Sequence, residues 1–177
     1  WDALFELGVT PVGIETYANS RRLEKSLRLQ NADLETEYNL YEAGLARPKV
    51  KAADFHGKEA YLQQRELDEQ AAYLCTLVLQ DTTDSNGVKR YPVGNWPILD
   101  PESKEVIIDS HGRRSYTTSM AFGPSLGVNI AMGYLPADKA KEGDTVLIEY
   151  FGEHYEAKVM KVGYGALLDP TNERPKS

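Results

Sequence analysis

This sequence of 177 residues predicts an α+β protein: the C-terminal part of a mixed α/β domain, followed by a six- to eight-stranded antiparallel β-barrel or jelly-roll-like domain. Up to about Gln70, apolar residues recur every three or four positions, which is the period of a helix. Beyond Gln70 they alternate every second position, in short runs separated by turn residues, as is typical of antiparallel sheets. We therefore predict two domains, residues 1–70 and residues 71–177.

Two helices are predicted near the start of the chain. Residues 1–7 form a short helix that ends at Gly8, because glycine readily adopts the left-handed conformation that follows a helix. A second helix is predicted over 14–29, where small and apolar residues recur at intervals of three and four. The face that these intervals define consists of Tyr17, Ser20, Leu23 and Leu27.

Another face of the second helix carries a row of cations, Arg21, Lys25 and Arg28. We favour a solvated face, because acidic residues follow close by and exposed ion pairs contribute little to stability. A clamp for an anionic ligand is the alternative. The acids expected to answer the row are Asp33, Glu35, Glu37 and Glu42.

The first residues indicate that further polypeptide precedes them. The chain starts without a methionine, and Trp1 and the residues after it have the composition of the middle of a helix with no capping residue before it. We therefore interpret the sequence as a C-terminal piece of a longer protein.

The composition argues against several classes of partner. The formal net charge is -7, with acids and bases interspersed, so no continuous basic face is expected for nucleic acid. No run approaches the roughly 18 apolar residues that a membrane span requires. The single cysteine, Cys75, excludes an internal disulfide and is predicted to be a small core side chain, so the reducing cytoplasm is the simplest location.

No metal site is predicted, because none of the three histidines has a cysteine or a second histidine at ligand spacing. His56 comes just before a third helix, which is predicted to start near Gly57 and to run to about Leu67. His111 and His154 lie in predicted hairpin turns. We interpret all three as surface or capping residues.

The second domain is predicted to consist of strands at 73–80, 88–93, 96–99, 106–108, 145–151 and 155–162, with two more between 112 and 135. Those two form a hairpin, because Pro124 fixes one φ angle and the glycines at 123 and 127 permit a tight connection. Residues 136–140 are predicted to form a single helical turn.

Taken without any relative, the sequence shows no catalytic constellation. It lacks a nucleophile elbow, a phosphate-cradling glycine loop and a cysteine with a base at a recognisable spacing. Asp100 and Asp109 are interpreted as turn-forming residues, because each lies at the start of a polar connection.

Several motifs resemble those of the glycine-cleavage T-protein family. The family's barrel signature has the approximate form Gly-x-x-Thr-Ser, then Ser or Pro-x-Leu-Gly, then Ile-Ala-x-Gly-Tyr-Val. Here it corresponds to Thr118-Ser119, Pro124-Ser125-Leu126-Gly127 and Ile130-Ala131-Met132-Gly133-Tyr134-Leu135. Further similar motifs are Ser20-Arg21-Arg22-Leu23-Glu24-Lys25 with Asp33-Leu34, Glu42-Ala43-Gly44-Leu45, and Phe55-His56-Gly57-Lys58-Glu59-Ala60.

The resemblance implies that residues 1–70 are the C-terminal part of the folate-binding aminomethyltransferase domain and that residues 71–177 are the C-terminal β-barrel domain. Family members pass one-carbon units to tetrahydrofolate, which binds in the centre of three domains. Their acidic residue that supports transfer lies in the N-terminal domain. No catalytic residue is therefore predicted in this chain, and the expected partners are the upstream part of the same protein and a small-molecule methyl donor.

Two positions that correspond to folate contacts depart from the family pattern. Ala18 stands where the family has an arginine, and Glu173 stands where it has a tyrosine. Alanine cannot supply a charge-assisted hydrogen bond, and glutamate repels the carboxylates of folate unless a cation lies alongside. The cofactor-binding residues that the resemblance predicts are Tyr17, Ala18, Asn19 and Glu173.

The departures favour a branch other than the glycine-cleavage component itself. The tail is similar to that of the dimethylglycine and sarcosine dehydrogenases and of tetrahydrofolate-dependent O-demethylases, and segments 91–99 and 113–119 resemble the O-demethylases most. The resemblance thus implies methyl transfer from a small substrate such as an aryl methyl ether. The alternatives are an aminomethyltransferase or dehydrogenase-type domain, a folate-binding module without transfer activity, and a plain β-barrel interaction domain.

Overall fold

The computed structural model describes residues 1–91 and 93–173. The helical segments are α1 (Asp2–Glu6), a π-helical segment, π1 (Thr16–Arg21), α2 (Arg22–Glu24) and α3 (Lys58–Arg65). The strands are β1 (Ala72–Leu79), β2 (Ile98–Leu99), β3 (Thr117–Gly123), β4 (Val128–Pro136), β5 (Thr145–Tyr150) and β6 (Glu153–Val162). Within the described part of the chain, no helix is long and apolar enough to cross a membrane.

The six strands form one antiparallel sheet in the order β2-β5-β6-β1-β4-β3. Its two edges approach each other through a bridge between Pro97 and Tyr116. The Thr117 N–H also donates to the Trp96 carbonyl at 2.8 Å, and the Ile98 N–H donates to the Ser115 carbonyl at 3.0 Å. The sheet therefore curls around one interior, which confirms the predicted antiparallel β-barrel class.

The central strands are buried on both faces, although their alternation predicts one buried face each. Cys75 and Leu77 of β1 point into the barrel interior, while Leu74 belongs to a second apolar cluster on the outside of the sheet. That outer cluster also contains Leu23 of α2. By contrast, β6 alternates buried and exposed residues, which is the pattern of a strand with one solvated face.

The second helix is shorter than predicted. Its helical backbone starts at Ile14, as predicted, and continues through π1 and the three residues of α2. It stops before Ser26, which adopts a positive φ of 56° and bonds through its hydroxyl to that of Thr76 at 2.9 Å. The predicted end at residue 29 is therefore wrong. Of the predicted buried face, Leu23 is fully buried, whereas Tyr17 and Leu27 are exposed.

Other predicted elements are confirmed in part. The short N-terminal helix, the helix after Gly57, β1, the 117–136 hairpin and the turn at 136–140 all form. The segment 106–108 contributes only single bridges, to Leu99 and Arg114. The predicted strand at 88–93 includes Pro92, which lies outside the described residues, and its other residues lie in no strand. The boundary at 70/71 stays a prediction.

Candidate functional site

Three of the predicted cofactor-binding residues lie on π1, which packs beside β3. The side chain of Tyr17 is exposed and that of Asn19 is half-buried. The Asn19 amide donates to the Glu15 carboxylate one turn earlier. An exposed phenol ring can offer a stacking surface to an aromatic ligand, and an amide can offer polar contacts.

The position of π1 is set by Arg22, the first residue of α2. Its guanidinium is almost fully buried and uses all three nitrogens. Nε donates to the Ala18 carbonyl at 2.5 Å, and Nη2 contacts the Asn19 Oδ1 at 3.5 Å. Nη2 also donates to the Ser119 Oγ of β3 at 2.6 Å. One buried cation thus links the predicted ligand-binding segment to the wall of the barrel.

Arg22 is balanced by Asp33, which is fully buried. The ion pair is 2.6 Å long between Nη1 and Oδ2, and the Leu29 N–H donates to the same oxygen at 2.9 Å. The Thr118 hydroxyl donates to Oδ1, and the Tyr134 hydroxyl donates to the Asp33 carbonyl at 2.8 Å. Burial raises the pKa of Tyr134, so this phenol stays protonated and remains a donor. The network is well satisfied, as a buried ion pair requires.

A second cluster extends this network along the sheet. Tyr134 stacks on Tyr38 with ring centroids 3.5 Å apart, and the Arg113 guanidinium lies 4.3 Å from the Tyr38 ring centroid. Arg113 also pairs with Glu42 and, at 2.6 Å, with Asp109. Burial opposes its charge, but the hydrogen bonds that Arg113 donates to these two carboxylates outweigh burial and raise the pKa of Arg113. This cluster binds residues 38–42 to the turn before β3.

The fourth predicted contact, Glu173, lies on the C-terminal segment. Its side chain is exposed, and its N–H donates to the Asp169 Oδ1 at 2.9 Å. Lys25 reaches the same segment, with Nζ 3.0 Å from the Asp169 carbonyl and 3.4 Å from the Asn172 Oδ1. A groove of about 650 Å³ lies beside these residues. Lys25 is therefore bound to the segment that bears Glu173, through Asp169 and Asn172. That a cation compensates the glutamate carboxylate itself stays a prediction.

The structure does not join Glu173 directly to the other three predicted residues. Among residues 1–91 and 93–173, no hydrogen bond connects it to Tyr17, Ala18 or Asn19. Both groups are instead anchored to α2 or the residue after it. The Glu24 carbonyl also accepts the backbone N–H groups of Leu167 and Leu168, at 3.1 and 2.9 Å.

The cationic row is only partly the predicted solvated face, since Arg21 is exposed but Lys25 and Arg28 are half-buried. Arg21 donates to Ser125, Lys25 pairs with Asp169, and Arg28 donates to the Ala43 carbonyl at 3.0 Å. Within the described part of the chain, Arg21, Lys25 and Arg28 form no ion pair with any of the four acids predicted to neutralise them. The periodicity of the sequence does not indicate Arg22 as a buried residue. Its burial depends on Asp33 and Ser119, which are distant in the sequence.

The remaining candidates behave as structural residues. Asp100 and Asp109 each accept backbone N–H groups of the turns that follow them, which confirms their predicted role. His154 lies in β6 and not in the turn. The described residues contain no group of three or more histidine, cysteine or acidic side chains placed to hold a metal. Cys75 is buried, and burial raises the pKa of its thiol to about 12.

Comparisons with known proteins first define the class of domain. Residues 94–162 match the model of the glycine cleavage T-protein C-terminal barrel domain. The crystal structure of glycine cleavage system aminomethyltransferase T from Bartonella henselae is similar to this structure, with a TM-score of 0.63 and 25% sequence identity over 81% of this chain and 36% of that chain. The fold is therefore consistent with that of a T-protein C-terminal barrel domain.

Curated relatives extend the match beyond the barrel. An aminomethyltransferase from Koribacter versatilis (strain Ellin345) is 31% identical over 156 residues, which are 88% of this chain and 37% of the relative. An aminomethyltransferase from Francisella tularensis subsp. tularensis (strain WY96-3418) is 27% identical over 164 residues, which are 91% of this chain and 40% of the relative. The chain thus spans well under half the length of these relatives. Together the matches support the glycine-cleavage T-protein family for this chain.

Proposed function

We propose that this chain is the C-terminal part of a tetrahydrofolate-dependent one-carbon transferase that demethylates a small methylated compound such as an aryl methyl ether. The observation that carries the family assignment is the match of about nine-tenths of the chain to proteins named aminomethyltransferase. The methyl-ether substrate rests on the motifs at 91–99 and 113–119 and on the departures at Ala18 and Glu173.

In the proposed reaction, the bond between the methyl carbon and the ether oxygen breaks, and a bond from that carbon to N5 of tetrahydrofolate forms. The proton that N5 loses balances the proton that the departing phenolate oxygen gains. An acid group must deliver that proton, and we expect it upstream of Trp1. The role of this chain is to orient the folate, because alignment of the two reacting atoms supplies much of the rate.

The described residues fit one side of a folate and not a complete site. Tyr17 offers an exposed ring on which a pterin or benzoyl ring can stack, and the Asn19 amide has a second N–H besides the one that Glu15 accepts. Ala18 leaves space beside the ligand but supplies no positive charge. Lys25 reaches the segment that bears Glu173, where it is paired with Asp169. We therefore propose Tyr17 and Asn19 as the contacts that bind, with Ala18 and Glu173 shaping the pocket.

We further propose that the first third of this chain docks against upstream polypeptide of the same protein. The part before β1 exposes large apolar side chains that a free surface rarely leaves uncovered, among them Trp1, Leu7, Val12, Ile14 and Leu67. The relatives contain more than half of their length outside the matched region, and such a region can supply the cover.

We place the protein in the cytoplasm, where its single buried thiol stays reduced.

Three other folate-dependent functions remain candidates. The names of the curated relatives favour an aminomethyltransferase, and a dimethylglycine or sarcosine dehydrogenase-type domain shares the same fold argument. A folate-binding module without transfer activity has the same contacts and differs only in lacking chemistry. All three require folate, whereas a plain β-barrel interaction domain does not.

The test uses the full-length protein. Calorimetric titration with tetrahydrofolate is expected to show saturable binding, and its absence would contradict every folate-based function. Formation of 5-methyltetrahydrofolate is then measured with vanillate or syringate as the donor, and formation of 5,10-methylenetetrahydrofolate is measured with dimethylglycine, whose methyl group a flavin must first oxidise. Turnover with the aryl methyl ethers alone supports the proposed branch, and turnover with dimethylglycine assigns the dehydrogenase-type branch. Binding without turnover of any of these donors contradicts both and is the result expected of the module or of an aminomethyltransferase.

A further inference from the structure

The π1 segment has an unusual backbone that needs external support. A π-helix has wider turns than an α-helix, is rare, and occurs mostly as a single turn at functional sites. Here it spans Thr16–Arg21, and none of its residues is buried, so packing alone does not fix its shape. It carries three of the four predicted folate-contacting residues.

Arg22 supplies the support. It is the residue directly after π1, and its side chain turns back to the Ala18 carbonyl four residues earlier, at 2.5 Å. Nη2 also contacts the Asn19 Oδ1 at 3.5 Å. Because an amide oxygen only accepts, this contact and the bond from Nδ2 to Glu15 fix which way the Asn19 amide faces.

The guanidinium of Arg22 is also bonded to residues outside π1. Its nitrogens donate to Asp33 Oδ2 and to Ser119 Oγ of β3, both at 2.6 Å. A planar guanidinium holds several partners in fixed directions, which the single ammonium of a lysine cannot do. One side chain therefore fixes both the Asn19 amide and the backbone next to Tyr17 relative to the barrel wall.

We propose that Arg22 is a positioning residue for tetrahydrofolate: it does not touch the ligand, but it sets the π-helical conformation that presents Tyr17 and Asn19. The inference rests on the proposed function, since it assumes that π1 faces the folate. It adds a specific role for a buried arginine that could otherwise serve only to neutralise Asp33.

The decisive variant is Arg22→Lys in the full-length protein. Lysine keeps the charge beside Asp33, so the variant is expected to fold, but it loses the fork that reaches both Ala18 and Ser119. The matched control is Thr118→Val, which removes a different hydrogen bond to Asp33 and leaves the contacts from Arg22 to π1 in place. Both variants are expected to lower the melting temperature.

The two variants are expected to differ in folate affinity. Arg22→Lys should raise the tetrahydrofolate Kd by about tenfold, the effect of losing one well-formed bond to a charged group, while Thr118→Val should stay within about twofold of wild type. Equal Kd values for both variants at matched losses of stability would overturn the proposal. If Arg22→Lys fails to fold, Ser119→Ala takes its place, because it frees one anchor of Arg22, and an unchanged Kd for that variant would count against the proposal.

Amide hydrogen exchange separates this inference from the proposed function. Exchange of residues 16–21 should accelerate in Arg22→Lys and not in Thr118→Val, with no folate present. Faster exchange in both variants alike would contradict the positioning role. Suppose that exchange of residues 16–21 accelerates only in Arg22→Lys and that the wild-type protein binds no tetrahydrofolate. This result would show that Arg22 stabilises π1 and would refute the folate function.

Discussion

Replacement of Gly133 by alanine is expected to destabilise the barrel through a steric clash at the point where its edges meet. A Cβ at this position would lie 2.6 Å from the Ile98 Cδ1 and 2.7 Å from the Tyr116 carbonyl oxygen. The isoleucine methyl can rotate away. The Tyr116 backbone cannot readily retreat, because its bridge to Pro97 holds the two edges of the sheet together.

The expected loss follows from the size of the overlap. Ordinary van der Waals contact of a Cβ begins at about 3.4 Å, so the strand must shift by roughly 0.7 Å. Overpacking of this kind costs about 1–3 kcal/mol of unfolding free energy. For a domain of this size that lowers Tm by about 2–12 °C, which thermal unfolding followed by circular dichroism can resolve.

The matched control is Gly13→Ala. Gly13 has no heavy atom within 4 Å of an added Cβ and no positive φ, so this variant should be neutral or slightly stabilising. The reasoning is wrong if the unfolding free energy of Gly133→Ala lies within about 0.5 kcal/mol of that of wild type, or is no lower than that of Gly13→Ala. The close approach of the two edges would then not constrain the barrel.

Three further predictions concern buried or paired ionisable groups. Because burial raises the pKa of Cys75 to about 12, Ellman's reagent at pH 8 should not label the native protein and should label it fully in denaturant; rapid native labelling would contradict the buried position. The hydrogen bond from Lys139 lowers the pKa of Asp100. The ionised carboxylate therefore stabilises the fold above its unfolded pKa of about 3.9, and this stabilisation is lost as the pH falls through the lower folded value. In urea titrations, Lys139→Met should be less stable than wild type at pH 7, and the difference in unfolding free energy should disappear in acid. Arg113→Lys removes the planar guanidinium that bonds to both Glu42 and Asp109, and it should lower the unfolding free energy in urea by about 3 kcal/mol. Arg114→Lys, at an exposed position, should lower it by less than about 0.5 kcal/mol. Equal losses would show that the paired guanidinium contributes nothing.

Local sequence signals predicted the elements that depend on neighbouring residues. Alternation located β1, and the Pro124 to Gly127 connection located the hairpin of β3 and β4, because strand pairing through a short turn is specified within a few residues. Asp100 and Asp109 were recognised as turn residues for the same reason. The polar caps of such turns use backbone groups two to four residues away.

The candidate site was less accessible to sequence reasoning. The predicted helix over 14–29 follows the right period, but its end is decided by the bond between the hydroxyls of Ser26 and Thr76, which are 50 residues apart. The motif residues that carry the family resemblance lie in separate stretches of the sequence. In the folded chain Arg22, Asp33 and Thr118 meet in one buried network, which no spacing along the chain reveals.

The sequence by itself determined the alternation of an antiparallel barrel, the tight turns and the family motifs, since each of these is set by residue types within a few positions. Only the tertiary structure decided that Arg22 would be buried, that Lys25 would lie beside the segment bearing Glu173, and that β1 would be covered on both faces. The physical reason is that burial of a charge costs free energy until a distant partner compensates it, and that partner is specified by the fold and not by the local sequence.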